Sequence, residues 1–396
     1  MLVRFFKQFF NFYFLSSISG AVFSFGIIVF YSHHGSQSDY IQLGVFSGLL
    51  GVMPAVIGAH TRSFFIRESS RNESLVDKDV GLLAATFFCM LISLMFVVPV
   101  LLMLGEYFEY NMEVIYWVLF VGVAQWFHLS FMAVSHSKKN GYRYFLLTFI
   151  AACSAAIFVV GAWFFYDLSW QVRAGALVFG FFCAMLFFLR WYWKKIIMLW
   201  SGVWGIKKSL KYSLPLIPYS VAVSAIMFFD RYVIVENFEE SIAATYLSLV
   251  QLVLVFSIFL DSIYKKVMPV YLSDGNWEVL IKACVVVIPA TFIFAFLAPY
   301  IFSFLFPDDI VFDLMLFFFM LVSSVLVFSV KLISLIYNYL GDNSYLSMSV
   351  VAVNIIAIAL MFVFVPGGEA WYLPVVVAAC NGSALLVLIT RVRRYL

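Results

Sequence analysis

Charge is what this 396-residue chain has little of: 11% of its residues are Asp, Glu, Lys or Arg, where a soluble domain carries about 25%. Extended polar sequence is missing too, which excludes a separate soluble catalytic domain. Cysteine is sparse, five residues scattered singly within apolar runs (Cys89, Cys153, Cys183, Cys284, Cys380), so neither a disulfide framework nor a Cys-based metal site is expected. His33 and His34 lie in a turn with no third ligand beside them, and no metal or cofactor is expected. What is present is apolar sequence, 65% of the chain, with a mean hydropathy of +1.03.

Twelve apolar runs lie near 9–32, 40–60, 81–104, 113–135, 143–166, 173–193, 213–235, 242–264, 280–304, 312–338, 346–366 and 373–392. Each is about the 20 residues that a hydrocarbon core requires of a helix. The expected fold is an all-α integral membrane protein of twelve transmembrane helices. The basic start before the first run resembles a signal sequence, but it lacks a small-x-small cleavage site and is read as an uncleaved first helix.

Lys and Arg are retained on the cytoplasmic side of membrane helices. With the N-terminus inside, 21 of the 24 basic residues fall in cytoplasmic segments, one (Arg173) in an outer turn, and two (Arg231 and Lys331) inside spans. Both termini are therefore expected in the cytoplasm. The net charge of +3 sits at the cytoplasmic rim, where it suits anionic membrane lipids; nucleic acid is not an expected partner.

The longest polar connection, Lys194–Tyr212, carries Trp200 and Trp204 among lysines and reads as an interfacial segment. It divides the chain into a six-helix half at 1–193, a basic connector at 194–212 and a second six-helix half at 213–396. A shift of 206 residues lays Tyr40 over Tyr246 near the start of each half's second span. Six helices per half make a parallel repeat, the architecture of an alternating-access transporter with its site between the repeats.

Charges inside spans are costly, about 2.5 to 3.5 kcal/mol on insertion scales, and mark functional candidates. Arg231, Lys331 and Asp230 are those candidates. Asp261 is read as a helix-end residue paired with Lys265 one turn on. Neighbouring helix positions diverge by about 100°, so Asp230 and Arg231 are expected to engage different neighbours. Either one faces a cavity while the other meets a helix, or both snorkel to the interface. Among uncharged residues, Gln251, Asn11, and Gln125 and His128 three apart are candidates to hydrogen-bond a substrate. Asn354 and Asn381 have the same chemistry. Pro215 and Pro218 are expected in the first turns of span seven, and Pro54 and Pro289 deeper in theirs.

The order SLPLIPYSVAVSAIMFFDRYVI from Ser213 has a Leu-Pro-x-x-Pro opening and a later Asp-Arg pair. ENFEESIAATYLSL follows, with Ala244 where glycine is usual. YNYLGDNSYLSMSVVAVNIIAIALMFVFVPGG brings Asn354, Pro366 and Gly367. In these stretches the chain resembles bacterial O-antigen-type oligosaccharide flippases of the multidrug/oligosaccharidyl-lipid/polysaccharide exporter superfamily. The resemblance implies that the chain works in the inner membrane, moving an undecaprenyl-pyrophosphate-linked oligosaccharide of lipopolysaccharide or a related polysaccharide, with a polymerase and a chain-length regulator as partners. It also implies a cavity role for Arg231. The rivals are a cation-coupled drug or small-molecule extruder of the same superfamily, which needs intramembrane carboxylates, and an enzyme, a membrane polysaccharide polymerase. The first half has no acid in mid-span, which counts against the extruder; the outer turns are short, which counts against the enzyme, and no enzymatic activity is expected.

Overall fold

A computed structural model describes residues 12–57, 64–66, 76–107, 112–137, 140–196, 206–307, 310–364 and 368–392. The expected candidate Asn11, and Trp200, Trp204, Asp308, Asp309, Pro366 and Gly367, lie outside the described residues.

The first half holds α1 (Phe12–His34), α2 (Gln37–Ile57), α3 (Val76–Tyr107), α4 (Met112–Ser137), α5 (Gly141–Trp163) and α6 (Trp170–Ile196). The short α7 (Ile206–Ser213) leads into α8 (Leu216–Asn237), α9 (Glu240–Asp274), α10 (Trp277–Leu305), α11 (Leu314–Leu340), α12 (Asn343–Phe364) and α13 (Tyr372–Val392). Eleven of these described helices are long and apolar enough to cross a membrane. The expected span 40–60 is α2, 21 residues long and largely covered by its neighbours.

Helix ends follow local chemistry. Asn140, Asn276 and Asp313 cap α5, α10 and α11 by accepting backbone N–H bonds from Arg143, Glu278 and Leu316, which satisfies donors otherwise left orphaned. Asp313 thus starts α11. Gly275 and Gly341 end α9 and α11 with φ of 64° and 83°, a conformation that costs a side-chain-bearing residue energy. Pro215 stands at the N-cap of α8 and Pro218 in its first turn, while α2 and α10 continue as helix through Pro54 and Pro289.

The two halves pack by one plan. In the first half α1 packs on α5, α5 on α6, α4 on α6 and α2 on α4; in the second, α8 packs on α12, α12 on α13, α11 on α13 and α9 on α11. Each pairing has its counterpart, as a parallel repeat requires. The register is corrected, however: Gln37 and Glu240 open equivalent helices 203 residues apart, and Met112 and Leu314 open theirs 202 apart. The shift of 206 is about one helical turn out, because a few residue matches fix phase less well than a helix boundary.

Between the halves, α1 packs on α9 and α2 on α8. Gly44 and Leu247, equivalent at a spacing of 203, meet where α2 crosses α9: a Cβ on Gly44 would lie 3.0 Å from the Leu247 side chain. The absent side chain is what brings these helices so close. The core runs through both halves, with Phe131 stacked on Phe188 at 4.2 Å and Phe256 on Phe294 at 4.8 Å. Large apolar residues such as Phe96, Phe292 and Phe304 are exposed on the outside. In water such a surface would drive association; here it faces lipid.

Candidate functional site

One face of α9 lines a cavity of about 120 Å³ in the second half, opposite residues of α8, α11, α12 and α13. Tyr246, Val250, Val253, Ser257, Leu260 and Asp261 recur at helical spacing along that face. From Tyr246 to Asp261 the face runs about 22 Å at 1.5 Å per residue, most of the hydrocarbon thickness. The cavity therefore has polar groups near both of its ends.

Asp230 and Arg231 line it at the end near the α8–α9 turn, the expected outer end. As adjacent helix positions dictate, their side chains part. Asp230 accepts from Tyr246 Oη (3.1 Å, Oδ2) and from the Arg231 backbone N–H (2.7 Å, Oδ1). Arg231 Nη1 donates to the Gly44 carbonyl of the first half at 2.9 Å. Its side chain is 5% exposed, and its Nε has no hydrogen-bond partner. The snorkelling alternative is thereby excluded for Arg231: the guanidinium is buried at the junction of the halves. The Tyr40 and Ser248 hydroxyls, 3.1 Å apart, join the same two halves a turn away, and His33 Nε2 donates to the Leu305 carbonyl at 3.1 Å.

Toward the other end, Lys331 Nζ donates to Asp261 Oδ1 at 2.9 Å, and both side chains open partly onto the cavity. Asp261 is expected at a helix end, paired with Lys265; its place in the helix is corrected, and Lys331 is an ammonium partner that the sequence reading does not give it. Because α9 continues to Asp274, Asp261 lies well inside the helix and faces α11. Lys265 also reaches the first half, with Nζ 5.8 Å from the centre of the Tyr144 ring. Beside it, His136 Nε2 donates to the Lys265 carbonyl at 2.6 Å. Between the two charged ends the Ser257 and Ser324 hydroxyls are hydrogen-bonded at 3.3 Å. Asn354, 2% exposed, also lines the cavity and has an unpartnered Oδ1.

The cavity thus brings together three expected candidates, Arg231, Lys331 and Asp230. It does not include Gln251, which is buried in α9 without lining it. Gln125 and His128 are in α4 of the first half, where His128 stacks on Phe181 at 5.1 Å. Gln125 Oε1 and His128 Nδ1 are buried without hydrogen-bond partners. Arg173, expected in a turn, is a buried residue in the first turn of α6. The residues missed were Asp261, Tyr246, Ser257 and Ser324. A signal did exist: Ser257 and Asp261 are four apart, and Ser324 and Lys331 seven apart, so each pair shares a helix face. Among the described residues no group of three or more His, Cys, Asp or Glu could hold a metal.

The repeat sharpens the contrast between the halves. At spacings of 203 and 202, Asp230, Arg231, Tyr246, Lys331, Asn354 and Asn381 correspond to Ile27, Ile28, Leu43, Leu129, Ala152 and Phe179. The first half presents apolar side chains where the second presents charge and amides.

Neither a family model nor a curated protein matches this sequence. Solved structures do. A multidrug resistance MATE family transporter of the MOP superfamily, in an outward-facing conformation, matches with a TM-score of 0.67 and 15% identity over 97% of this chain and 93% of that chain. A MATE in complex with MaD5 gives 0.67 and 16% over 98% and 96%. A MOP superfamily transporter from Pyrococcus furiosus, described as having a binding pocket of reverse polarity, gives 0.65 and 14% over 96% and 95%. The chain has the two-halved helical membrane fold of these proteins.

Proposed function

We propose that this protein is an alternating-access membrane transporter, and that it extrudes a small molecule in exchange for a cation. The observation that carries this reading is the pair of intramembrane carboxylates, Asp230 and Asp261, in one cavity. The sequence counted against a cation-coupled extruder because the first half has no acid in mid-span; Asp261, read there as a helix-end residue, adds a second carboxylate to the cavity of the second half. Each carboxylate is held by a partner that can be exchanged, a tyrosine hydroxyl for Asp230 and an ammonium for Asp261. A buried charge whose partner leaves must take up another cation or a proton, and this links a cation to the cavity's state. The full-length match to MATE folds supports the same reading.

A second reading, the flippase of an undecaprenyl-pyrophosphate-linked oligosaccharide, is favoured by Arg231. Its guanidinium stands where the halves meet with one N–H group unpartnered, and guanidinium suits phosphate oxygens.

The test is transport by purified protein in liposomes under an imposed proton or sodium gradient. Gradient-driven extrusion of a fluorescent organic cation is expected. No extrusion, together with movement of a labelled polyprenyl-pyrophosphate sugar between leaflets, would replace the first reading by the second.

A further inference from the structure

The seam where α1 meets α9 holds a second cavity, about 190 Å³, apart from the one that carries the charged pairs. Ser17, Ala21 and Phe25 line it from α1, and Val255, Phe259 and Ser262 from α9. The first and second helices of a parallel repeat run in opposite directions, so Ser17 and Ser262 share one end and Phe25 and Val255 the other. Those serines are its only polar lining residues, and the Ser262 hydroxyl donates to the Phe259 carbonyl of its own helix at 2.6 Å. Past the apolar end, Phe25 packs edge-on against Phe306 with ring centres 6.0 Å apart. From Ser17 to Phe25 the groove runs about 12 Å along α1 at 1.5 Å per residue. Ile18 and Val22, on its α1 edge, are 42% and 61% exposed, on a surface that faces lipid.

A space so apolar excludes water, and an apolar cavity of about 150 Å³ is already large enough to take up benzene. Left empty, it would forfeit dispersion contacts along both helices. What stands at its mouth in a bilayer is hydrocarbon chain. We propose that the groove is a binding site for one acyl chain of a bilayer phospholipid, its ester end toward Ser17 and Ser262 and its tail toward Phe25. The serine end is the one expected at the cytoplasmic side, so the lipid comes from that leaflet. The chain fills at the α1–α9 seam what hydrogen bonds supply where Arg231 meets Gly44 and Tyr40 meets Ser248. Its back wall is α9, whose other face lines the charged cavity, so a seated chain supports that wall. Nothing in the site depends on what the transporter carries.

The probe is a phosphatidylcholine with a diazirine at the end of one acyl chain, mixed into phosphatidylethanolamine and phosphatidylglycerol vesicles that hold the purified protein. After illumination, peptide mass spectrometry should place adducts on residues 21–25 and 255–259, several-fold above those around the lipid-exposed Phe292 and Phe296 of α10. Ala21→Leu and Val255→Phe fill the groove from opposite walls. Each should lose the seam adducts, while unchanged α10 adducts report a folded, inserted protein. Moving the diazirine close to the ester should shift the adducts toward Ser17 and Ser262. Seam labelling no higher than that on α10 means annular lipid only and overturns the proposal. So does seam labelling that survives in both variants, or that does not shift with the position of the diazirine. An unlabelled seam in protein that sediments as a dimer gives the groove to a second copy of the chain, which overturns it equally.

Discussion

Arg231 Nη1 donates a 2.9 Å hydrogen bond to the backbone carbonyl of Gly44, joining α8 of the second half to α2 of the first. The same guanidinium lines the second-half cavity. One side chain therefore touches both the space where a ligand would sit and the junction that must part for that end to open.

Replacing Arg231 by Ala should abolish most transport while leaving protein in the membrane. The lost bond to a charged donor costs stability by about 1.5 to 3 kcal/mol. Arg231→Lys keeps the charge but not the planar fork, and recovers only part of the activity. Liposome transport set beside thermal melting measures both, and unimpaired transport in Arg231→Ala would remove the residue from the site.

Tyr246→Phe takes a donor from Asp230. A buried carboxylate short of a partner destabilises the fold, so the melting temperature should fall. Adding Asp230→Asn should restore much of it, since the charge that needed the donor is gone. A double variant no more stable than Tyr246→Phe would show that this hydroxyl does not serve Asp230.

Tyr40 on α2 and Ser248 on α9 touch across the halves. Cysteines at these two positions, bridged by a bifunctional maleimide, should arrest transport. The single-cysteine proteins treated alike should remain active. Continued transport in the bridged protein would sink the alternating-access mechanism at this junction.

Gly180 of α6 packs directly against the Ala151 carbonyl of α5, where a Cβ would collide with backbone. Gly180→Ala should cost about 1 to 3 kcal/mol by overpacking, read as a lower melting temperature in detergent. A variant as stable as wild type would mean that the two helices can separate freely.

Much of this molecule was legible from residue order. Apolar runs of membrane length gave the helices, and their regular count gave the repeated halves. Asp230 and Arg231, adjacent on one helix, were expected to part because such positions diverge, and they do. Asp261 escaped because a local rule placed it: a lysine four residues on offered a partner, and nothing local showed that α9 runs ten residues past the expected end of its span. Gln125 and His128 have the right chemistry on one face, but that face packs in the first half instead of opening on the cavity.

Hydropathy and the 3.6-residue period by themselves determined that this chain forms membrane-length helices in two similar sets, because each helix satisfies its own backbone and need only match the thickness of the lipid. Only the tertiary structure decided which polar residues share a space. Asp261 and Lys331 are 70 positions apart in sequence, and Arg231 and Gly44 are 187 apart. Such partners are chosen by how helices cross, not by what stands beside them in the chain. The contrast between the cavity's polar residues and their apolar counterparts in the first half became visible once the boundaries of the helices had set the register of the repeat.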